Sequence, residues 1–198
     1  MISVIIATYK RPEKLNKLLQ SISSQTFLPS EIIVVDDCSK MDKEYKNVIN
    51  NFQKKFKNII YIKNKNNYGA PKSRNIGIMK SSYEWIALTD DDDIWLPKKL
   101  ELQIKKEYLK NSNLGLIYSY TFIKENDNKV LYDFYPKKYD PIRNILCTNF
   151  IPSPTPIIRK DAIIKAGLFD IKFKSCQDWD MWVRIFKLGY NYKLIRQP

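Results

Sequence analysis

The stretch WIALTDDDDIW (residues 85–95) joins an apolar run, Trp85-Ile86-Ala87-Leu88, to four consecutive carboxylates, Asp90 to Asp93. The apolar run reads as a buried strand that delivers the acidic cluster at its C-terminal end. Adjacent anions repel one another and gain nothing from a core, so the cluster requires a counter-charge. In an extended turn, Asp90 and Asp92 face one side while Asp91 and Asp93 face the other. An acidic turn ahead of a helix is the plain structural reading, because carboxylates complement the helix dipole. The functional reading is a hard divalent cation with oxygen ligands. An EF-hand does not fit, because its loop glycine and terminal glutamate are absent. Mg²⁺ or Mn²⁺ held by one or two carboxylates together with substrate phosphates is the expectation.

Working outward, strands alternate with helices. Ile2–Ala7, Glu31–Val35 and Ile59–Ile62 are β-branched, strand-like runs. Between them, Pro12 opens a helix with Leu15, Leu18, Leu19 and Ile22 at helical spacing, and a polar helix is expected from Asp42 to about Phe56. After the turn Asn67-Tyr68-Gly69 comes a helix over Pro71–Met79, and Pro97 opens one carrying Leu100, Ile104 and Tyr108. This alternation implies a mostly parallel α/β sheet flanked by helices. Ligands in such sheets sit outside the carboxyl ends of the strands. Three of those ends carry Thr8-Tyr9, Asp36-Asp37 and Asp90–Asp93, so three polar clusters are expected to meet in one crevice.

Beyond about residue 110 the pattern loosens. Leu116–Ile123 and Lys129–Tyr135 read as an antiparallel pair turning at Asn126-Asp127-Asn128. A Pro-rich connector, Ile151–Pro156, leads to a short strand over Thr155–Arg159. Helices over Lys160–Ala166 and Asp178–Leu188 stop at Gly167 and Gly189, and Tyr190–Ile195 is strand-like. The expectation is one continuous mixed α/β domain, cut short at its C-terminus.

Composition narrows the chemistry. The 198 residues contain no histidine, which removes a His general base and a Ser-His-Asp triad. Three scattered cysteines without a CxxC give neither a zinc site nor a disulfide framework, and suit a reducing cytoplasm. Neither GxGxxG nor GxxxxGK[ST] occurs, so dinucleotide and P-loop readings are weak. No signal peptide is read at the N-terminus, and no apolar run approaches the roughly 20 residues of a membrane span. The net charge of +13 suits an anionic membrane surface or a polyanionic partner. No nucleic-acid-binding module is recognisable. The expected location is cytoplasmic, with peripheral contact at the inner membrane face.

A tyrosine such as Tyr9 can stack on a base, and carboxylates such as Asp36-Asp37 can accept from ring NH or ribose hydroxyls. Alone, Asp36-Asp37 reads equally as a turn or a helix cap. SVIIATYKR (3–11), IIVVDDCS (32–39), NYGAPKSRNIG (67–77), ALTDDDDIWLPKKLELQ (87–103) and QDWDMWVRIFKLG (177–189) together resemble a family 2 glycosyltransferase, in order and over nearly the whole chain. The resemblance implies a GT-A fold, with a nucleotide-sugar-binding half over 1–110 and an acceptor-binding half over 111–198. It implies a nucleotide-sugar donor, UDP by expectation, a divalent metal (Mn²⁺ or Mg²⁺) and inversion at the anomeric carbon. The acceptor would be a hydroxyl of a saccharide or glycolipid in surface polysaccharide biosynthesis.

Residue by residue, the resemblance places Thr8, Tyr9 and Arg11 at the nucleotide, with Asp37 on its ring or ribose and Asp36 alongside. Arg74 lies near the nucleotide, though pairing on its own helix is the plainer reading. Asp90-Asp91-Asp92 matches a DXD-type motif, with Asp92 on the metal and Asp90 and Asp91 around ribose and metal. Asp178 matches the catalytic base; its plainer role is a helix N-cap, and Asp180 is the second candidate. Asp93 reads as helix-start chemistry. The counter-charge for the cluster is expected from a cation arriving with the substrate, and not from lysines. Cys38 stands where the family often has glycine, and Gln177 where it has glutamate. The alternative is a GT-A domain that holds a nucleotide sugar without turning it over.

Overall fold

The structure, a computed structural model, describes residues 1–125, 128–133 and 140–198. Its first half follows the expected alternation: β1 (Ile2–Thr8), α1 (Pro12–Ser23), β2 (Glu31–Asp36), α2 (Asp42–Gln53), β3 (Ile59–Lys63), α3 (Ala70–Lys80) and β4 (Trp85–Asp90). These strands are mutually parallel in the spatial order β3-β2-β1-β4. β1 and β2 are buried along their whole length, which is why they read as continuous Val/Ile runs and not as alternating strands. Alternate residues of β1 feed two cores. Val4 and Ile6 join Leu15, Leu18 and Leu19 of α1 on one face, and Ile5 meets Ile78 and Trp182 on the other.

The sheet continues through β8 (Ile157–Arg159), β5 (Leu114–Ser119) and β9 (Asn191–Ile195), giving seven strands in the order β3-β2-β1-β4-β8-β5-β9 among the described residues. β8 is antiparallel to both β4 and β5, while β5 and β9 pair in parallel. The sheet is therefore mostly parallel, as expected. A separate small antiparallel ribbon pairs β6 (Thr121–Glu125) with β7 (Asn128–Tyr132).

Two expectations require correction. The run Leu116–Ile123 is not one strand of a hairpin: it divides at Tyr120, and Leu114–Ser119 joins the central sheet because all six of its residues are buried. Only the downstream part pairs with β7; the expected turn residues Asn126 and Asp127, and Phe134-Tyr135, lie outside the described residues. The helix opened by Pro97 also breaks, into α4 (Lys99–Gln103) and α5 (Lys106–Leu109), where Ile104 leaves helical geometry at ψ 72°. Lys99 and Gln103 both donate to the carbonyl of Thr155, fixing α4 against the 153–156 segment, and Lys105 is extended.

Three further helices occur among the described residues: α6 (Pro141–Cys147), α7 (Lys160–Lys165) and α8 (Gln177–Lys187). The expected stops Gly167 and Gly189 have φ of 88° and 86°, a conformation that glycine adopts without penalty. Gly77 serves a different need: a Cβ there would lie 2.5 Å from Cγ2 of Ile5. Its absence lets α3 settle on β1 and sets the position of Arg74, three residues earlier on the same helix. No described helix is long and apolar enough to cross a membrane.

Candidate active site

The registers Thr8↔Asp36 and Ala7↔Asp90 bring the ends of β1, β2 and β4 level, so the three expected polar clusters do share one sheet edge. Along the acidic stretch, exposure alternates as the extended-turn reading requires. Asp91 is fully buried and Asp93 half-buried, whereas the side chains of Asp90 and Asp92 are 36% and 41% exposed.

Asp91 is the hub beneath the surface. Thr8 Oγ1 donates to its Oδ2 at 2.7 Å, Arg11 Nε reaches the same oxygen at 3.1 Å, and Arg11 Nη2 lies 2.6 Å from Oδ1. Burial pushes the Asp91 carboxyl above its ordinary pKa, against the opposing pull of Thr8 and Arg11. Tyr45 of α2 shares a hydrogen bond with Thr8 Oγ1 at 2.9 Å and accepts from the Arg11 backbone N–H. Asp93 closes the turn by accepting from the Asp90 N–H at 2.9 Å and from Thr89 Oγ1. Burial raises its pKa to about 6.

Asp92 Oδ2 accepts from Arg11 Nη1 at 3.1 Å and from Lys14 Nζ at 3.2 Å. The expectation that no lysine neutralises the cluster is thus corrected. Pro12 starts α1 immediately after β1, and its first turn carries Lys14 over the end of β4. Sequence reading had no signal for this, because the contact joins residues 78 positions apart.

On the β2 side the two aspartates separate. Asp36 is completely buried; it accepts from the Ser39 N–H and hydroxyl and from Tyr61 Oη at 2.8 Å. Asp37 organises the neighbouring loop, accepting from Asn64 Nδ2 and the N–H groups of Tyr68 and Gly69 at 2.7–2.8 Å. Cys38, standing in a glycine's place, has φ 66°, the left-handed region that explains the usual glycine. Tyr9 is 38% exposed beside this edge, with Lys10 Nζ 5.0 Å from its ring centre.

Arg74 links the sheet edge to α8. Its Nη2 pairs with Asp90 Oδ1 at 2.5 Å and its Nη1 donates to Gln177 Oε1 at 3.1 Å. Asp178 follows Gln177 and lines one small recess with Arg74, Asp90, Ser153, Phe169 and Trp182. Its Oδ1 accepts from the Trp179 N–H and its Oδ2 from Asn149 Nδ2 at 3.4 Å. Trp179 Nε1 donates to Ile145 O of α6, so α6 steadies the start of α8. That helix was missed, although Asp140-Pro141 is a helix-start signal: Asp140 caps it by accepting from the Arg143 N–H at 2.9 Å. Asp180, the second candidate base, is bound by Arg184 within α8.

The described residues by themselves do not make a metal site. Among the described residues no three His, Cys, Asp or Glu form a closed metal cage. Asp92 offers an exposed, hard carboxylate at the mouth, beside Asp90, which suits a cation completed by substrate phosphates. On the far side of Asp92 opens a cleft of about 420 Å³, walled by Ile94, Trp95, Tyr120, Phe122, Lys129 and Pro154.

The model of "Glycosyl transferase family 2" matches residues 3–165, which include the sheet edge but not Asp178. The uncharacterized glycosyltransferase MJ1057 of Methanocaldococcus jannaschii is 33% identical over 201 residues, covering 100% of this chain and 68% of that protein. A Haemophilus influenzae glycosyltransferase is 29% identical, and the chain spans 62% of its length. S. aureus TarS 1–349 superposes with a TM-score of 0.78 at 22% identity, covering 100% of this chain and 58% of that one; its complex with UDP-GlcNAc gives 0.75 at 20%. The mannosyltransferase PcManGT from Pyrobaculum calidifontis, in complex with GDP-Man and Mn²⁺, gives 0.70 at 14%, over 98% of this chain and 54% of that one. These structural likenesses establish the shared GT-A architecture. With the sheet edge inside the matched segment, the chain belongs to glycosyl transferase family 2.

Proposed function

We propose that the protein is an inverting, metal-dependent glycosyltransferase that moves a sugar from a nucleoside diphosphate, UDP in the first instance, to a hydroxyl of a saccharide or glycolipid in surface polysaccharide biosynthesis. The observation that carries this is the Arg74 bridge: it sets Asp178, which makes no ion pair among the described residues, in one recess with Asp90 of the acidic edge. Residues 1–110 would hold the donor and residues 111–198 the acceptor. Tyr9 stacks on the base, while Asp37 and Arg74 contact the nucleotide from either flank of the edge. Thr8, Asp36 and Asp91 act from below, holding Arg11 and the loop after β2 in place. Mn²⁺ or Mg²⁺, held by Asp92 with Asp90 beside it, would neutralise charge on the departing diphosphate.

In this reading Asp178 accepts the proton of the acceptor hydroxyl as that oxygen attacks the anomeric carbon from the face opposite the diphosphate. Asn149 and the Trp179 N–H keep the carboxylate oriented. The cleft beyond Asp92 has the size and largely apolar lining of a ligand site; Asp178 lines the neighbouring recess instead, so the reacting hydroxyl is assigned to that recess and the body of the acceptor to the cleft. Support for UDP comes from TarS, whose complexes hold UDP and UDP-GlcNAc, and support for the metal from PcManGT. The net charge of +13 supports work at an anionic inner membrane face in the cytoplasm.

A thermal-shift screen of nucleoside diphosphates and their sugars, with and without Mn²⁺, tests the proposal. A ligand present at 100 times its Kd stabilises the folded state by about 2.7 kcal/mol, and UDP or a UDP-sugar with Mn²⁺ is expected to do so. No shift with any nucleotide would overturn the reading.

A further inference from the structure

Two cations converge on one oxygen of the carboxylate that the proposed function gives to a metal. Arg11 Nη1 and Lys14 Nζ lie 3.1 and 3.2 Å from Asp92 Oδ2. They are held very differently. Arg11 is fixed from behind by the buried Asp91 and by its backbone bond to Tyr45. Lys14, with its side chain 51% exposed, makes no other ion pair among the described residues. Exposed pairs of this kind are weakly held and easily exchanged.

The charges of the two ligands suggest what the exchange serves. At the mouth, ion pairs join Asp90, Asp91 and Asp92 to Arg74, Arg11 and Lys14, while Asp93 and Asp178 stand nearby with no ion pair among the described residues. A divalent cation on Asp92 would compete with Lys14 and Arg11 for its carboxylate. A nucleotide sugar alone would add about two negative charges, one per phosphate, to a site whose cations are already engaged. Arriving together, a cation takes the place of the two groups on Asp92 and the phosphates give those groups new partners. Both cations also stand at the N-terminal end of the 12-residue α1, whose dipole favours an anion there.

We propose that Lys14, with the outer nitrogen of Arg11, is a diphosphate-binding pair parked on Asp92. A cation on Asp92 releases the two groups, and they then bind the phosphates of the donor. Metal and donor therefore bind cooperatively, and Lys14 carries part of the coupling. This rests on the nucleotide-sugar reading above.

The test measures Mn²⁺ binding by electron paramagnetic resonance and UDP binding by calorimetry, each with and without the other ligand, on wild type, Lys14→Gln and Lys14→Arg. Lys14→Gln is expected to bind Mn²⁺ alone about fivefold tighter and UDP with Mn²⁺ about tenfold weaker, so that the coupling falls. Lys14→Arg is expected to restore the wild-type pattern. If wild type binds UDP with Mn²⁺ but Lys14→Gln leaves the UDP affinity unchanged, or fails to tighten Mn²⁺ binding, the handover is wrong while the nucleotide-sugar reading stands. If wild type binds no nucleoside diphosphate or nucleotide sugar with Mn²⁺, both fall.

Discussion

Arg74 Nη1 donates to Gln177 Oε1 at 3.1 Å, joining two residues 103 positions apart. With Nη2 of the same guanidinium on Asp90, one side chain of α3 spans from the end of β4 to the start of α8. Family resemblance leads one to expect glutamate at position 177. Glutamine keeps the contact but leaves it a hydrogen bond between a cation and a neutral amide. Gln177→Glu should convert it to an ion pair with a largely buried arginine and raise stability by about 1 kcal/mol. Denaturant titration of the single variant and of Gln177→Glu combined with Arg74→Gln checks this, since the gain should vanish in the double variant.

Separate duties for Asp92 and Asp178 predict separable defects. Asp92→Asn should weaken Mn²⁺-dependent nucleotide binding by at least about tenfold, in line with losses at metal sites. Asp178→Asn should leave that binding intact and lower transfer by about 10²–10⁴-fold, the usual contribution of a general base. Calorimetry gives the first quantity, and sugar transfer to acceptor the second. Wild-type transfer by Asp178→Asn would remove the base assignment.

Asp36 is predicted to matter before any ligand binds. Its buried carboxylate accepts from Ser39 and Tyr61, and an amide can accept at only one of its two terminal atoms. Asp36→Asn should therefore cost about 1.5–3 kcal/mol, the worth of a hydrogen bond to a charged group. The ligand-free melting temperature is the measurement; no change would return Asp36 to a purely ligand-contacting role.

Lys99 gives a pH signature. Burial lowers its pKa from 10.5 to about 7, with Asp93 pulling the other way, while its ammonium reaches Gln103 Oε1 and Thr155 O. Between about pH 7 and 10.5 the unfolded chain binds this proton and the folded chain does not, so stability rises with pH across that window. The contribution is complete above 10.5 and lost as pH falls through 7. Relative to Lys99→Met, the wild-type melting temperature should climb from pH 7 to 10; parallel curves would contradict the shift.

The fold was legible because its signals are local. Strand runs ending in Thr8, Asp36-Asp37 and Asp90 and helices opened by Pro12 and Pro71 act within a few residues of themselves. A sheet buried on both faces has no other way to be written than as Val/Ile runs. Where burial on distant partners decided the outcome, the reading failed. Leu116–Ile123 divided because β8 and β9 enclose β5, and the helix after Pro97 broke where α4 is tied to Thr155.

The site divides the same way. Sequence alone determined which carboxylates stand at the strand ends, that no histidine could act for them, and, through alternation, that Asp90 and Asp92 share one side of the turn and Asp91 and Asp93 the other. Packing made the Asp91 side the inward one. Tertiary structure decided their partners. Arg11 and Lys14 reach Asp92, Arg74 reaches Gln177, and Asn149 reaches Asp178, across 81, 78, 103 and 29 residues. A chain's own pattern reports the periodicity of burial, but not which distant group packing will bring within hydrogen-bond distance.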